Sequence, residues 1–222
     1  MTNDGIVFPL GSDTKVLSTI FELFTRPIII EIAQENGLFA VEPTVQNHYP
    51  DFTIMTGKPD QRKIAVDVKT TYVDKIGDSF GFTLGGYTSF IRGAGTKNIV
   101  FPFSEYSEHW VIGYVYKRVA TKKTAESKTY RVADLADINP PYEQVQIFVQ
   151  EKWRIASDKA GSGNTTNIGS INGVLPNFEN GETPFRSEAE FLEYWRNYER
   201  TAGERDGKFK NINEFRNWKK SD

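Results

Sequence analysis

The chain has 222 residues, 38% hydrophobic and 25% charged, with 27 basic and 29 acidic side chains giving a net charge of −2. That balance excludes a disordered chain, and no run approaches the eighteen apolar residues a membrane helix needs. The absence of cysteine excludes disulfides, zinc knuckles and thiol chemistry and is consistent with a reducing cytoplasm.

In chain order, Met1 to Gly5 lacks the basic and apolar regions of a secretory signal. Ser12 or Asp13 is placed to cap a helix whose apolar stripe is expected to be Val16, Leu17, Ile20, Phe21 and Phe24. Pro27 interrupts or kinks it, and a second apolar stretch from Ile28 to Ala33 runs to Gly37. Lys15 and Glu22, seven residues apart, share one face of the first helix. Residues 51–55 and 63–72 alternate as strands on either side of a turn-rich stretch, residues 57–61. A Gly-rich piece, Thr83 to Ser89, leads to a basic loop around Lys97. Trp110–Tyr116 and Val145–Val149 are further strands, the first so continuously apolar that it belongs at the centre of a sheet. A polar, Gly-rich loop spans Ala160–Gly169. Ser187 caps a helix over Glu188 to about Glu199, and Asn213–Trp218 forms a shorter one. The pattern predicts an α/β fold, a mixed sheet core flanked by helices, as one domain over residues 1–222 with a helical part from about 187 to 222.

Alternation places Ile64, Val66 and Val68 on one face of the second strand and Asp67 and Lys69 on the other, expected to be the solvent side, about 7 Å apart. A hairpin centred on Pro59 pairs residues whose numbers sum to 118, which sets Asp51 opposite Asp67. Two carboxylates so close repel unless a cation lies between them. Oxygen ligands with room for water suit Mg²⁺, and the implied chemistry is metal-assisted phosphodiester hydrolysis, with Lys69 adding positive charge near the attacking water and the phosphate. Glu22 is a candidate further ligand or outer contact. An Asp and a Lys alternating on a strand are also a common surface ion pair. Similarly, Gly161, Ser162, Gly163, Asn164 and Thr165 suit a loop approaching base edges, since Asn pairs with adenine and the Thr methyl meets that of thymine. The same residues also suit a flexible connection or a phosphate cradle. His48 and His109 read as structural, and the four tryptophans as core or helix-packing residues.

Longer blocks carry a resemblance. Pro9-Leu-Gly-Ser-Asp-Thr-Lys-Val-Leu-Ser-Thr-Ile-Phe-Glu-Leu-Phe24, Gln46-Asn-His-Tyr-Pro-Asp-Phe-Thr53, Phe82-Thr-Leu-Gly-Gly-Tyr-Thr-Ser-Phe-Ile-Arg92, residues 160–171 and Tyr194-Trp-Arg-Asn-Tyr-Glu-Arg-Thr201 resemble the EcoRV family of restriction endonucleases, of the PD-(D/E)xK nuclease superfamily. The likeness runs from about Gly5 to Trp218. It implies a type II DNA endonuclease, a homodimer that cuts duplex DNA at the centre of GATATC to leave blunt ends, in the company of a methyltransferase. It implies Asp51 and Asp67 as Mg²⁺ ligands, Lys69 as catalytic lysine and Glu22 as auxiliary acid. By the same likeness Gly161 and Gly163 read the outer G·C pair, Asn164 adenine and Thr165 thymine. Gln46 and Asn47 lie near the minor groove and backbone, with Thr14 and Lys15 on the same side. Thr71, Thr88, Ser89, Lys97, Asn167, Tyr198, Arg200 and Arg205 are the expected backbone contacts. Three departures stand out: a short segment before Val7, expected to weaken the dimer, Val45 in place of a glutamine, and Ala202 in place of a serine. A repair or recombination nuclease of the same superfamily, or a DNA-binding module that has lost cleavage, are the alternative readings.

Overall fold

The computed structural model describes residues 1–45, 48–92, 98–119, 128–161, 167–199 and 201–221. Its centre is a five-stranded sheet in the order β2 (Phe39–Val41), β3 (Phe52–Met55), β4 (Lys63–Val73), β5 (Tyr106–Arg118) and β7 (Tyr142–Glu151). Every pairing is antiparallel except β4 with β5, which is parallel along eleven residue pairs. A parallel pair cannot be joined by a tight turn. The chain therefore crosses over between residues 74 and 105, forming α2 (Tyr87–Arg92) on the way. As its near-continuous apolar run foretells, β5 lies inside the sheet, between β4 and β7.

One face of the sheet is covered by α1 (Thr14–Glu35), capped by the Asp13 carboxylate. Leu17, Phe21 and Ile29 pack there on Val66, Val68, Ile112, Tyr114 and Tyr116. The helix continues through Pro27 rather than stopping at it. Its buried row is Leu17, Phe21, Thr25, Ile29 and Ala33, every fourth residue. Val16 and Phe24, expected in the core, are 42% and 56% exposed instead. Thr25 takes a buried position because its hydroxyl donates to the Phe21 carbonyl and meets the Tyr114 hydroxyl, both at 2.7 Å.

The opposite face carries the larger core. Ala65, Val111, Val115 and Phe148 of the sheet meet Phe80, Phe82 and Leu84 of the crossover and an aromatic cluster from α3 (Leu175–Asn180), α4 (Glu188–Asn197) and α6 (Ile212–Trp218). Trp195 is fully buried here. A short helix, α5 (Ala202–Asp206), joins α4 to α6. Two small sheets complete the fold: β1 (Ile6–Val7) with β6 (Tyr130–Arg131), and β8 (Ala156–Ala160) with β9 (Ile168–Ser170). The second flanks the Gly-rich stretch in sequence. No helix among the described residues is long and apolar enough to cross a membrane.

Candidate active site

The hairpin β3–β4 has the anticipated register: Phe52 pairs with Val66, Thr53 with Ala65 and Ile54 with Ile64, every pair summing to 118. Asp51, one residue before β3, thus comes level with Asp67. Its Oδ2 accepts a 2.6 Å hydrogen bond from the Val68 amide, which ties it to β4. Lys69 reaches back to Asp67, Nζ to Oδ2 2.7 Å. These three residues meet as expected, but not on a solvent face. Asp67 is only 4% exposed, because β4 has a strand on either side and the crossover covers the surface toward which Asp67 points. Polar alternation here marks the wall of a cavity.

That cavity, about 470 Å³, is lined by Asp51, Asp67, Lys69, His48, Tyr49, Gly85, Gly86, Ser89, Asn98, Lys152 and Asn167, among others. Lys152 was not foreseen. It begins the 3₁₀ turn Lys152–Ile155 after β7, is 1% exposed, and places Nζ 3.0 Å from Asp67 Oδ2 and 4.3 Å from the centre of the Tyr49 ring. No local pattern marks a lysine in Gln150-Glu-Lys-Trp-Arg154 as buried; its partner lies 85 residues away. Below it, the Tyr49 hydroxyl sits 2.7 Å from Nδ1 of His109, which also stacks on Phe103. His109 is structural, as expected: burial and the nearby Lys152 ammonium depress its pKa to about 3.

The electrostatics follow from burial and proximity. Burial, and then the charge of Asp67, push the Asp51 carboxyl up to about 7. Against burial, the ammonium groups of Lys152 and Lys69 hold Asp67 well below the usual carboxylate range. Burial likewise opposes the charge on Lys69, but the Asp67 and Asp51 carboxylates hold its pKa above the ordinary lysine value. Lys152, wholly enclosed and near Lys69, is shifted down by burial despite the charge of Asp67.

Glu22 lies on the other flank of Asp51, in a separate cavity of about 160 Å³ with Thr19, Arg26 and Glu42. Burial raises its pKa. It does not complete a three-carboxylate cage: among the described residues no three His, Cys, Asp or Glu side chains lie close enough to hold one ion. The adjacent Asp51 and Asp67 do fit a hard divalent cation, since both offer only oxygen, both border open space, and a cation would offset the burial and the Asp67 charge that drive Asp51 toward protonation.

The remaining expected residues divide. Thr14 and Lys15 form the exposed first turn of α1, and Thr71 is half-buried on β4. Ser89 is exposed at the cavity mouth, and Asn167 lines the same cavity while its carbonyl accepts from the Gly161 amide at 2.8 Å. Gly161 sits tightly: a Cβ there would meet Thr83 Cγ2 at 3.1 Å. Arg205 is half-buried, hydrogen-bonded to the Glu199 carbonyl and stacked over Tyr198 at 5.3 Å. Tyr198 is 6% exposed, its ring packed on Tyr194, Trp195 and Phe209. Thr88 falls in α2, but its side chain lies outside the description. Gln46, Asn47, Lys97, Ser162, Gly163, Asn164, Thr165 and Arg200 lie outside the described residues.

Residues 1–220 match the model of the family "Restriction endonuclease EcoRV". The chain is 58% identical over 215 residues to the type II restriction enzyme EcoRV of Escherichia coli, an alignment covering 97% of this chain and 87% of that one.

Proposed function

Because the chain belongs to the EcoRV family of restriction endonucleases, we propose that it cuts duplex DNA at the centre of GATATC, leaving blunt ends, as a Mg²⁺-dependent homodimer. The observation that carries the site assignment is the convergence of Asp51, Asp67 and Lys69 on one open cavity. In this reading Asp51 and Asp67 hold the ion, and Lys69 presents its ammonium to the scissile phosphate and the attacking water. Mg²⁺, when bound, supplies positive charge against the phosphate oxygens and acidifies water. Lys69 is kept charged by the two carboxylates, so it offsets negative charge developing on the phosphate without giving up a proton. Glu22, across Asp51, acts from the second cavity as an auxiliary acid. It adds negative charge behind Asp51 rather than a third ligand in the same shell.

Base reading is assigned to Gly161, Ser162, Gly163, Asn164 and Thr165. In support, the paired strands β8 and β9 flank this stretch in sequence, and Asn167, beside it, borders the catalytic cavity. Thr14, Lys15, Gln46, Asn47, Thr71, Thr88, Ser89, Lys97, Asn167, Arg200 and Arg205 are assigned to the backbone and the minor groove, where contacts set position and carry no sequence information. Residues 1–222 act as one domain. A dimer sets two such sites across the two-fold axis of a palindrome. The enzyme works on DNA in the cytoplasm, beside a methyltransferase that protects the same sequence.

Digestion of a plasmid of known sequence, with the ends sequenced, tests this. Discrete blunt fragments at GATATC in Mg²⁺ are expected. Diffuse nicking would point to a repair-type nuclease, and binding in Ca²⁺ with no product in Mg²⁺ to a module that has lost cleavage. Asn164→Ala should cost about 1–3 kcal/mol of discrimination at its adenine, measured as relative cleavage of cognate and substituted sites.

A further inference from the structure

We propose that Lys152 is a positioning residue: a built-in counter-cation that keeps the carboxylate pair assembled without metal and fixes which oxygen of Asp67 faces the ion. The inference rests on the reading of Asp51 and Asp67 as ligands. Two carboxylates side by side in a mostly buried setting destabilise the fold unless positive charge lies against them. Lys69 supplies some, but its side chain is 22% exposed and it is also the cation assigned to the phosphate. Lys152 is differently built. Its side chain is 1% exposed, it springs from a 3₁₀ turn wedged between β7 and β8, and its ammonium is held between Asp67 Oδ2 and the face of Tyr49. Tyr49 is in turn fixed by His109, on the adjoining strand β5. A lysine so enclosed cannot swing toward DNA.

Both ammonium groups bind the same oxygen, Oδ2. Oδ1 takes neither ammonium and is the oxygen this reading assigns to the ion. Rotation of the Asp67 carboxylate would break two charge-assisted contacts at once. When substrate draws Lys69 toward the phosphate, Lys152 still holds Oδ2 in place.

Lys152→Met removes the charge and keeps most of the volume. In EDTA its melting temperature should fall by about 10 °C, because the buried carboxylates lose one of their two counter-cations in a domain of this size. MgCl₂ alone, without DNA, should raise the melting temperature of the variant by more than that of the unaltered protein. At saturating MgCl₂, kcat should fall roughly tenfold or more with KM for DNA unchanged, because the residue acts through Asp67. If the single variant does not fold, Asp67→Asn with Lys152→Met should restore folding, the neutral amide needing no counter-charge. Equal melting temperatures in EDTA, equal Mg²⁺ stabilisation of the two proteins, or a double variant as unstable as Lys152→Met would each overturn the proposal. Retained cutting by Lys69→Ala or Asp67→Asn would instead overturn the active-site reading on which it rests.

Discussion

Burial of Asp67 between two lysines changes what a substitution there reports. Asp67→Ala leaves Lys152 enclosed without its carboxylate, and removing one member of a buried pair costs about 3–5 kcal/mol. Urea denaturation should show that loss alongside the loss of cutting. Asp67→Asn, nearly isosteric, should abolish cutting with a smaller destabilisation, and Lys69→Ala should do so with the fold intact. Near-equal stability of the Ala and Asn variants at position 67 would contradict the importance of the Lys152 contact. Asp51 makes a separate prediction about pH. Its pKa of about 7 in the folded chain lies above the 3.8 of an exposed carboxyl. The folded state therefore binds more protons between those values, and the Asp51 contribution is full below about 4 and lost as pH rises through 7. Asp67, shifted the other way, contributes above its ordinary value and loses that contribution in acid. In EDTA, Asp51→Asn should gain stability relative to the unaltered chain from pH 5 to pH 8; an unchanged difference across that range would refute the assignment. The sequence made Asp51, Asp67 and Lys69 legible because a hairpin register is arithmetic. Lys152 was illegible because its burial depends on the packing of a turn 85 residues away from its partner.

At the scale of elements, legibility followed the strength of the local pattern. Strand β5 announced itself by continuous apolar character, and Ser187 caps α4 as its position indicated. The stripe of α1 was misjudged at Val16 and Phe24. A buried row of every fourth residue selects Thr25 over a neighbouring phenylalanine once Tyr114 satisfies its hydroxyl. Within the sheet, Gly113 of β5 lies directly opposite Phe148 of β7, and a Cβ at residue 113 would fall 2.1 Å from Cε1 of that ring. The phenyl ring thus occupies the space a side chain would take. Gly113→Ala should destabilise by about 1–3 kcal/mol through overpacking, read as a lower urea midpoint. A midpoint within error of the unaltered chain would show that the ring moves aside freely.

For the molecule as a whole, composition gave the class but not the connectivity. The local pattern does not reveal that β4 and β5 run parallel, because Val66-Asp-Val-Lys69 of β4 alternates as an antiparallel strand would. The two small sheets are not legible in the sequence, because three of their strands have only two or three residues and β8 has five, too few to show a period. Net charge was equally uninformative, since the acidic residues include those assigned to the ion, while Arg216 and Lys219 are engaged by Glu190 and Glu193. The proposed homodimer makes its own claim at this scale: sedimentation in Ca²⁺ with a GATATC duplex should give two chains per duplex. One chain per duplex would remove the two-fold argument for double-strand cutting.

The parallel crossover has a temporal side. A nascent chain exposes both acidic groups of the hairpin early, yet their strand cannot gain its parallel neighbour until residues past 106 have been made, nor its enclosed amine until residue 152. On the assignments made above, the scissile machinery and the loop that reads the bases, which starts at residue 161, are completed late in synthesis. An unfinished polypeptide therefore lacks the neighbours that enclose its acidic pair.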